Sequence, residues 1–437
     1  MAVQRADFFS TMMTASRTKW GADSVYPASE HYKTHYGIVL PSLAFRYLMT
    51  SNVFMLERIT EFYGPRGSGK SSLCYEIARL FIEQGGLATV IETENKTSYG
   101  LMRGIIGEKN LEVVQFFRSK SIERAQDELS FSLDQYAKGC PDRNIPYFIM
   151  WDSLVGSKAD ETIASVAEDG HAKRNYAIEA ALISTYFGTL PDRLIGLPVS
   201  FAVTSHEKIK MGDTGGGAGG AGAGDEMSAG GKKPVGGDAP GFYSTYQLRV
   251  VRVKDVVQTE ANPHMILQLR TQKNNMGINN RSLKINLYFR WYKDEKDGKQ
   301  KMRAEFDWDR CTMDLLTGDA LPNKAKLKEL ACFAAGDKAG YYNCQALGAK
   351  NINAQEMCQA LYANPAIYEP LQDLLSIDRF VEFDSAALSK SKTKPPKVKK
   401  PKKEGVHSDG DAERGDGEAA PQQEAEAGAG QGLEPST

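Results

Sequence analysis

Eight consecutive residues, Gly64-Pro65-Arg66-Gly67-Ser68-Gly69-Lys70-Ser71, follow the spacing G-x-x-x-x-G-K-[ST], a device for holding phosphate. Glycines let backbone N–H groups converge on anionic oxygens with no Cβ in the way, and the following helix N-terminus adds partial positive charge. Lys70 is expected to reach the β- and γ-phosphates of a nucleoside triphosphate. The Ser71 hydroxyl is expected to bind Mg²⁺, with Ser72 continuing the cradle into the helix.

Carboxylates elsewhere fit the same chemistry. Asp152 closes the apolar run PYFIMW, which places it at the carboxyl edge of a buried strand, where open parallel sheets bind ligands. A carboxylate there can hold Mg²⁺ through water, or simply cap the next turn. Glu92 and Glu94 end the run ATVIETEN. Alternate residues on a strand share a face, so both point the same way if the strand persists. One of them near a γ-phosphate could orient an attacking water, and the residues alone leave the choice open.

The elements that must position these groups follow from the pattern. From Glu57 to about Arg310, short apolar runs alternate with longer periodic ones, which predicts an α/β fold on a central, mostly parallel twisted sheet. The strand-like runs are RITEFYG, ATVIETE, LEVVQFF, PYFIMWDS and PVSFAVTS. Between the third and fourth, Ile122, Ala125, Leu129, Leu133 and Tyr136 recur at helical spacing and make one apolar stripe. Residues 212–241 break the rhythm with a glycine-rich stretch that cannot build a core and reads as a mobile loop. Strand-like runs resume at YSTYQLRVVRV, HMILQLRTQ and LKINLYFRWY. A helical stretch is predicted over Leu43–Met49, and an α-rich segment over about 311–388. The tail is basic over Lys390–Lys403 and acidic from Glu404, a composition that cannot fold alone. Boundaries therefore fall at 1–50, 51–310, 311–388 and 389–437.

Composition removes other classes. The 437 residues carry a formal charge of −1, and no apolar run reaches the ~18 residues that span a bilayer. The N-terminus lacks the apolar core of a secretory signal, so a cytoplasmic protein without membrane partners is expected. Six cysteines are scattered without C-x-x-C spacing, which favours reduced thiols over disulfides or a zinc site. Cys332, Cys344 and Cys358 are expected to pack inside the C-terminal segment.

Taken in order, these pieces resemble the bacterial RecA recombinase family, above all its divergent phage members of the UvsX type, over about residues 35–300. ERITEFYGPRGSGKSSL resembles the family's first strand, phosphate loop and helix; ATVIETEN the segment ending in the catalytic glutamate; YFIMWDS the Mg²⁺-side strand, with Asp152 and Ser153. VTSHEKIKMG resembles the γ-phosphate sensor strand opening a DNA-binding loop, and GGDAPGFYSTYQLRVVRV that loop's close.

The resemblance implies a RecA-like ATPase core with an N-terminal oligomerisation segment, a small C-terminal domain and a disordered tail. It selects Glu94 as the catalytic glutamate and makes His206 the sensor, where bacterial members carry glutamine. A neutral imidazole can still hydrogen-bond a phosphate oxygen. A plain strand-end polar residue is the bland reading of His206. Two basic residues usually reach the neighbouring subunit's nucleotide; RTQKNN keeps Lys273 but has Asn275 at the other position, leaving Arg270 as a candidate helper. Tyr99 becomes a candidate for stacking on adenine, and Phe8 and Phe9 candidates for docking on a neighbour.

The resemblance also implies DNA at two loops, about Gly156–Arg174 and Glu207–Gly241. Lys173, Arg174, Lys208, Lys210, Lys232 and Lys233 would neutralise phosphates, while Gly236 and Gly237 expose backbone donors. No aromatic residue lies between Glu207 and Gly241, so backbone gripping rather than base stacking is expected from that loop. The implied protein is an ATP- and Mg²⁺-dependent filament on single-stranded DNA that captures duplex DNA and exchanges strands. Single-strand-binding and mediator proteins are its implied accessories. A ring helicase on the same core and a DNA-coating protein with vestigial ATPase are the alternatives.

Overall fold

The computed structural model describes residues 2–20, 25, 27–28, 35–169, 175–209, 232–234, 237–257, 263–295, 297–318, 321 and 323–384. In chain order the first half forms α1 (Ala2–Trp20), β1 (Tyr36–Val39), α2 (Leu43–Met49), β2 (Val53–Met55), β3 (Arg58–Gly64), α3 (Lys70–Glu83), β4 (Leu87–Glu92), α4 (Tyr99–Ile106), β5 (Val114–Arg118), α5 (Ile122–Gly139) and β6 (Tyr147–Asp152). Next come α6 (Asp160–Asp169), α7 (Tyr176–Leu194), β7 (Val199–Ile209), β8 (Lys232–Pro234), α8 (Ala239–Tyr243), β9 (Tyr246–Val257), β10 (His264–Asn274), β11 (Ser282–Lys293) and β12 (Gln300–Phe306).

Ten of these strands make one sheet in the order β12-β11-β10-β9-β3-β7-β6-β4-β5, with β8 paired to β7. From β9 to β5 all neighbours are parallel. The central strands are apolar on both faces because both faces are covered. Along β6, Phe148 and Met150 enter the core that holds Leu73, Ile77 and Phe81 of α3, whereas Ile149 and Trp151 enter the core built by α5 and α7. The stripe of α5 is buried at all five positions, and Ser121 starts the helix by accepting from Arg124 N at 3.1 Å.

The sheet is mostly parallel, as expected, and turns antiparallel after β9. Strands β9 to β12 pair antiparallel, since short turns cannot make the crossover that parallel neighbours need. Strand β12, absent from the sequence-based expectation, ends the sheet. Helix α4 lies close to it, and a Cβ on Gly104 would come within 2.9 Å of Met302 O.

Beyond the sheet come α9 (Trp308–Thr317), α10 (Lys324–Leu330), β13 (Phe333–Ala335), β14 (Tyr341–Cys344), β15 (Ala349–Asn353), α11 (Ala354–Tyr362), α12 (Pro365–Leu374) and β16 (Val381–Glu382). The segment thus adds a small antiparallel sheet, β13-β14-β15, to its helices. Its core of Met313, Leu316, Leu361 and Leu371 takes in Leu43 of α2, and β16 returns to pair with β1. Cys344 and Cys358 are buried there, but Cys332 is exposed, contrary to expectation. It lies between buried Ala331 and Phe333, and the backbone leaving α10 turns its side chain outward. Helix α1, also absent from the expectation, leaves Phe8, Phe9, Met12 and Trp20 exposed. No helix among the described residues is long and apolar enough to cross a membrane.

Candidate functional site

Strand β3 ends at Gly64, and α3 begins at Lys70 with Gly69 as its cap at φ 89° and no side-chain capping bond. Two glycines here are forced by close approach. A Cβ on Gly64 would sit 2.0 Å from Val250 O, and one on Gly69 2.7 Å from Leu267 Cδ1. The loop suits an anion. The first turn of α3 carries no acidic residue, so its free N–H groups are uncompensated. Ser68 Oγ is buried with no hydrogen-bond partner among the described residues, an orphan that a phosphate oxygen would satisfy. Lys70 is buried, its Nζ donating to Gly64 O at 3.1 Å and Pro65 O at 2.8 Å. Burial pushes the Lys70 ammonium below its usual pKa, while Asp152 and Glu94 pull it back. Arg66 and Gly67 are exposed, and Ser71 lies in the first turn of α3 beside buried Ser72. Those residues would suit a nucleoside triphosphate, and Ser71 at the head of α3 and Asp152 at the end of β6 are the oxygen donors a Mg²⁺ would use beside phosphate and water.

The two glutamates part company because β4 stops at Glu92, so the strand does not persist as a shared face would require. Thr93 turns toward β6, its Oγ1 donating to Ser153 O at 2.7 Å and accepting from Ser153 N at 3.1 Å. Asn95 then takes a left-handed φ of 54°. Glu92 stays buried and accepts from Lys96 N at 2.8 Å, which fixes the turn. Glu94 instead meets His206 Nε2 at 3.2 Å, Ser153 Oγ, and Lys96 Nζ at 3.0 Å. Gly156 permits this, because a Cβ there would lie 2.3 Å from Glu94 Cγ. The His206 hydrogen bond, helped by Ser153 and Lys96, holds the Glu94 carboxyl well below the usual glutamate range despite partial burial.

His206 completes a chain. Lys70 Nζ lies 3.4 Å from its Nδ1. An ammonium can only donate, so Nδ1 must accept, and the neutral ring then carries its proton on Nε2, facing Glu94. Asp152 accepts from Thr204 Oγ1 on the neighbouring strand. Tyr99, 59% exposed, opens α4 and lines a pocket of about 620 Å³ with Glu92, Asn95, Thr97, Phe116 and Arg118.

Strand β7 does not stop at His206. It runs on to Ile209 and pairs antiparallel with β8, Lys208 facing Lys233 and Ile209 facing Lys232. This two-stranded ribbon brings three of the expected lysine positions together, Lys208, Lys232 and Lys233. Lys210, Gly236, Lys173 and Arg174 lie outside the described residues. Gly237 is exposed with φ 84°. In the first expected loop, α6 occupies Asp160–Asp169. At the ribbon's base Glu207 is tied to Arg249 Nε at 2.8 Å, a buried pair.

Lys273 points at its own chain, donating from Nζ to Gly241 O at 3.0 Å and Phe242 O at 2.8 Å. Arg270 donates to Asn280 Oδ1 at 3.2 Å. Aromatic side chains absent from the expectation flank the two loops. Phe242 and Tyr176, just past each loop, are 73% and 62% exposed. Thr204 and Arg249 were also missed; both sit in ordinary strand runs and act only through neighbouring strands.

No protein-family model matches the chain, and no curated protein matches it.

Proposed function

We propose that the chain is an ATP-dependent DNA recombinase of the RecA type, which assembles as a helical filament on single-stranded DNA and exchanges strands with a homologous duplex. One observation carries this reading. His206 joins Lys70 to Glu94, and its own strand continues directly into the lysine-bearing ribbon. A single strand therefore links a phosphate-sensing contact to a segment suited to nucleic-acid backbone.

Bound ATP and Mg²⁺ would supply a phosphoanhydride whose cleavage water can effect. The chain's residues have distinct tasks. Lys70, Ser68 and the N–H groups from Gly64 to Ser72 bind phosphates, and Ser71 and Asp152 hold the ion. Glu94, kept ionised, accepts a hydrogen bond from the attacking water; a carboxylate has about four acceptor positions, more than His206, Ser153 and Lys96 occupy. His206 donates to Glu94 or, after a small turn of the ring, to a phosphate oxygen. Lys273 would serve the neighbouring subunit's site on releasing Gly241 O and Phe242 O of its own chain, and Phe8 and Phe9 on α1 dock on the neighbour, which their exposure supports.

The test combines ATP hydrolysis with and without single-stranded DNA, negative-stain electron microscopy and D-loop formation. Stimulated hydrolysis, filaments and joint molecules are expected. Unwinding without joint molecules would favour a ring helicase, and DNA binding unchanged in Lys70→Ala a coat protein.

A further inference from the structure

Behind the phosphate loop lies a carboxylate that the proposed mechanism does not use. Glu61, on β3 three residues before Gly64, is fully buried. It accepts from Ser205 Oγ at 2.8 Å on one side and from Gln247 Nε2 at 2.7 Å on the other. These donors belong to β7 and β9, the two strands that flank β3. Two residues further along the same face, Glu207 of β7 is bonded to Arg249 of β9, and Tyr63 of β3 pairs with Arg249 in register. Buried polar groups in a core of apolar strands are costly unless paired, and here Glu61 and Glu207 each find donors on neighbouring strands.

What the rungs connect is specific. Ser205 precedes His206, which meets Lys70 and Glu94. Gln247 presses on α8: a Cβ on Gly241 would fall 2.3 Å from Gln247 Nε2 and 3.4 Å from Glu61 Oε2. Gly241 O and Phe242 O in turn receive Lys273 Nζ, whose charge acts on Glu61. Burial pushes the Glu61 carboxyl up, and the Gln247 and Ser205 donors pull it back.

We propose that Glu61 is a positioning residue that couples α8 and the ribbon-bearing segment to the phosphate-sensing end of β7. A shift of α8 moves Gln247, Glu61 passes the change to Ser205, and His206 is re-aimed. This inference rests on the recombinase-type ATPase reading and names the internal route by which DNA would set the hydrolysis rate.

The experiment uses the full chain, a fluorescent ATP analogue for nucleotide affinity, and oligo-dT as the DNA probe. In Glu61→Gln, affinity and DNA-free hydrolysis stay within about twofold of wild type. Stimulation by oligo-dT falls by about fivefold or more, the scale of a site-to-site coupling. Exchanging the partners in Glu61→Gln/Gln247→Glu restores an amide–carboxylate bond and with it the stimulation. A purely structural Glu61 would instead move both rates together. Should Glu61→Gln fail to fold, Gln247→Met removes the same contact from the other side and is expected to lose stimulation alone. Normal stimulation in a folded Glu61→Gln or Gln247→Met overturns the coupling while leaving the ATPase reading intact. Wild-type protein that binds no ATP analogue overturns the ATPase reading and, with it, the coupling.

Discussion

His206 Nε2 stands 3.2 Å from Glu94 Oε1, while the ring's other nitrogen faces Lys70 Nζ at 3.4 Å. One neutral tautomer serves both contacts, so the ring relates Lys70 to Glu94. A glutamine at 206 offers the same pair of an acceptor and a donor. His206→Gln is therefore expected to keep most of the hydrolysis rate, and His206→Ala to lose about tenfold to a hundredfold, the worth of a hydrogen bond to a charged group. Equal losses in the two variants, measured by phosphate release, would separate His206 from Glu94.

Glu94→Gln keeps the shape of the side chain and removes its charge. Hydrolysis is expected to fall by about a hundredfold or more, with filament assembly on DNA retained. Steady-state kinetics and electron microscopy of the same preparation check both halves.

Gly156 gives access to the same carboxylate without touching it. An alanine there must displace Glu94, because the added Cβ would lie 2.3 Å from Cγ. Gly156→Ala is expected to lower the hydrolysis rate while nucleotide affinity holds, since the phosphate loop lies elsewhere.

The pH dependence of stability follows from the sign of the Glu94 shift. Its carboxyl is depressed in the folded chain by the His206 hydrogen bond and its neighbours. Its stabilising contribution is thus complete above the ordinary glutamate value of ~4.3 and is lost as pH falls toward the folded value. The difference in unfolding temperature between wild type and Glu94→Gln is expected to be constant from pH 8 to about pH 5 and to narrow below that. Narrowing near neutrality would contradict the assignment.

Lys208, Lys232 and Lys233 converge on one ribbon. Replacing all three by alanine is expected to weaken oligonucleotide binding whatever its sequence. The slope of log affinity against log salt should shrink by about 2, at ~0.7 for each phosphate neutralised on a single strand. A salt titration by fluorescence anisotropy measures it.

Much of this arrangement is legible in the chain because the central strands are buried on both faces. Runs such as RITEFYG and PYFIMWD have little alternation to confuse them, and the loop motif marks its own strand–helix junction. Other parts depend on partners. QKMRAEF alternates charge with small or apolar residues and becomes β12 through pairing with β11; KKP has no apolar pattern and is a strand only beside β7. The Glu92–Glu94 geometry was beyond period-2 reasoning because a Thr93 side chain ends the strand. The meeting of Glu94, just past β4, Ser153, just past β6, and His206, within β7, joins three different strands, and only the sheet order brings them together.

The central claim is that phosphate chemistry at Lys70 and Glu94 is tied to nucleic acid held beyond β7. Its most direct test is the ATP hydrolysis rate of wild type and Lys70→Ala across a titration of single-stranded oligonucleotide. Wild-type turnover is expected to rise with DNA to a plateau, with Lys70→Ala flat near zero. A wild-type rate indifferent to DNA, or a Lys70→Ala rate matching it, would contradict the account.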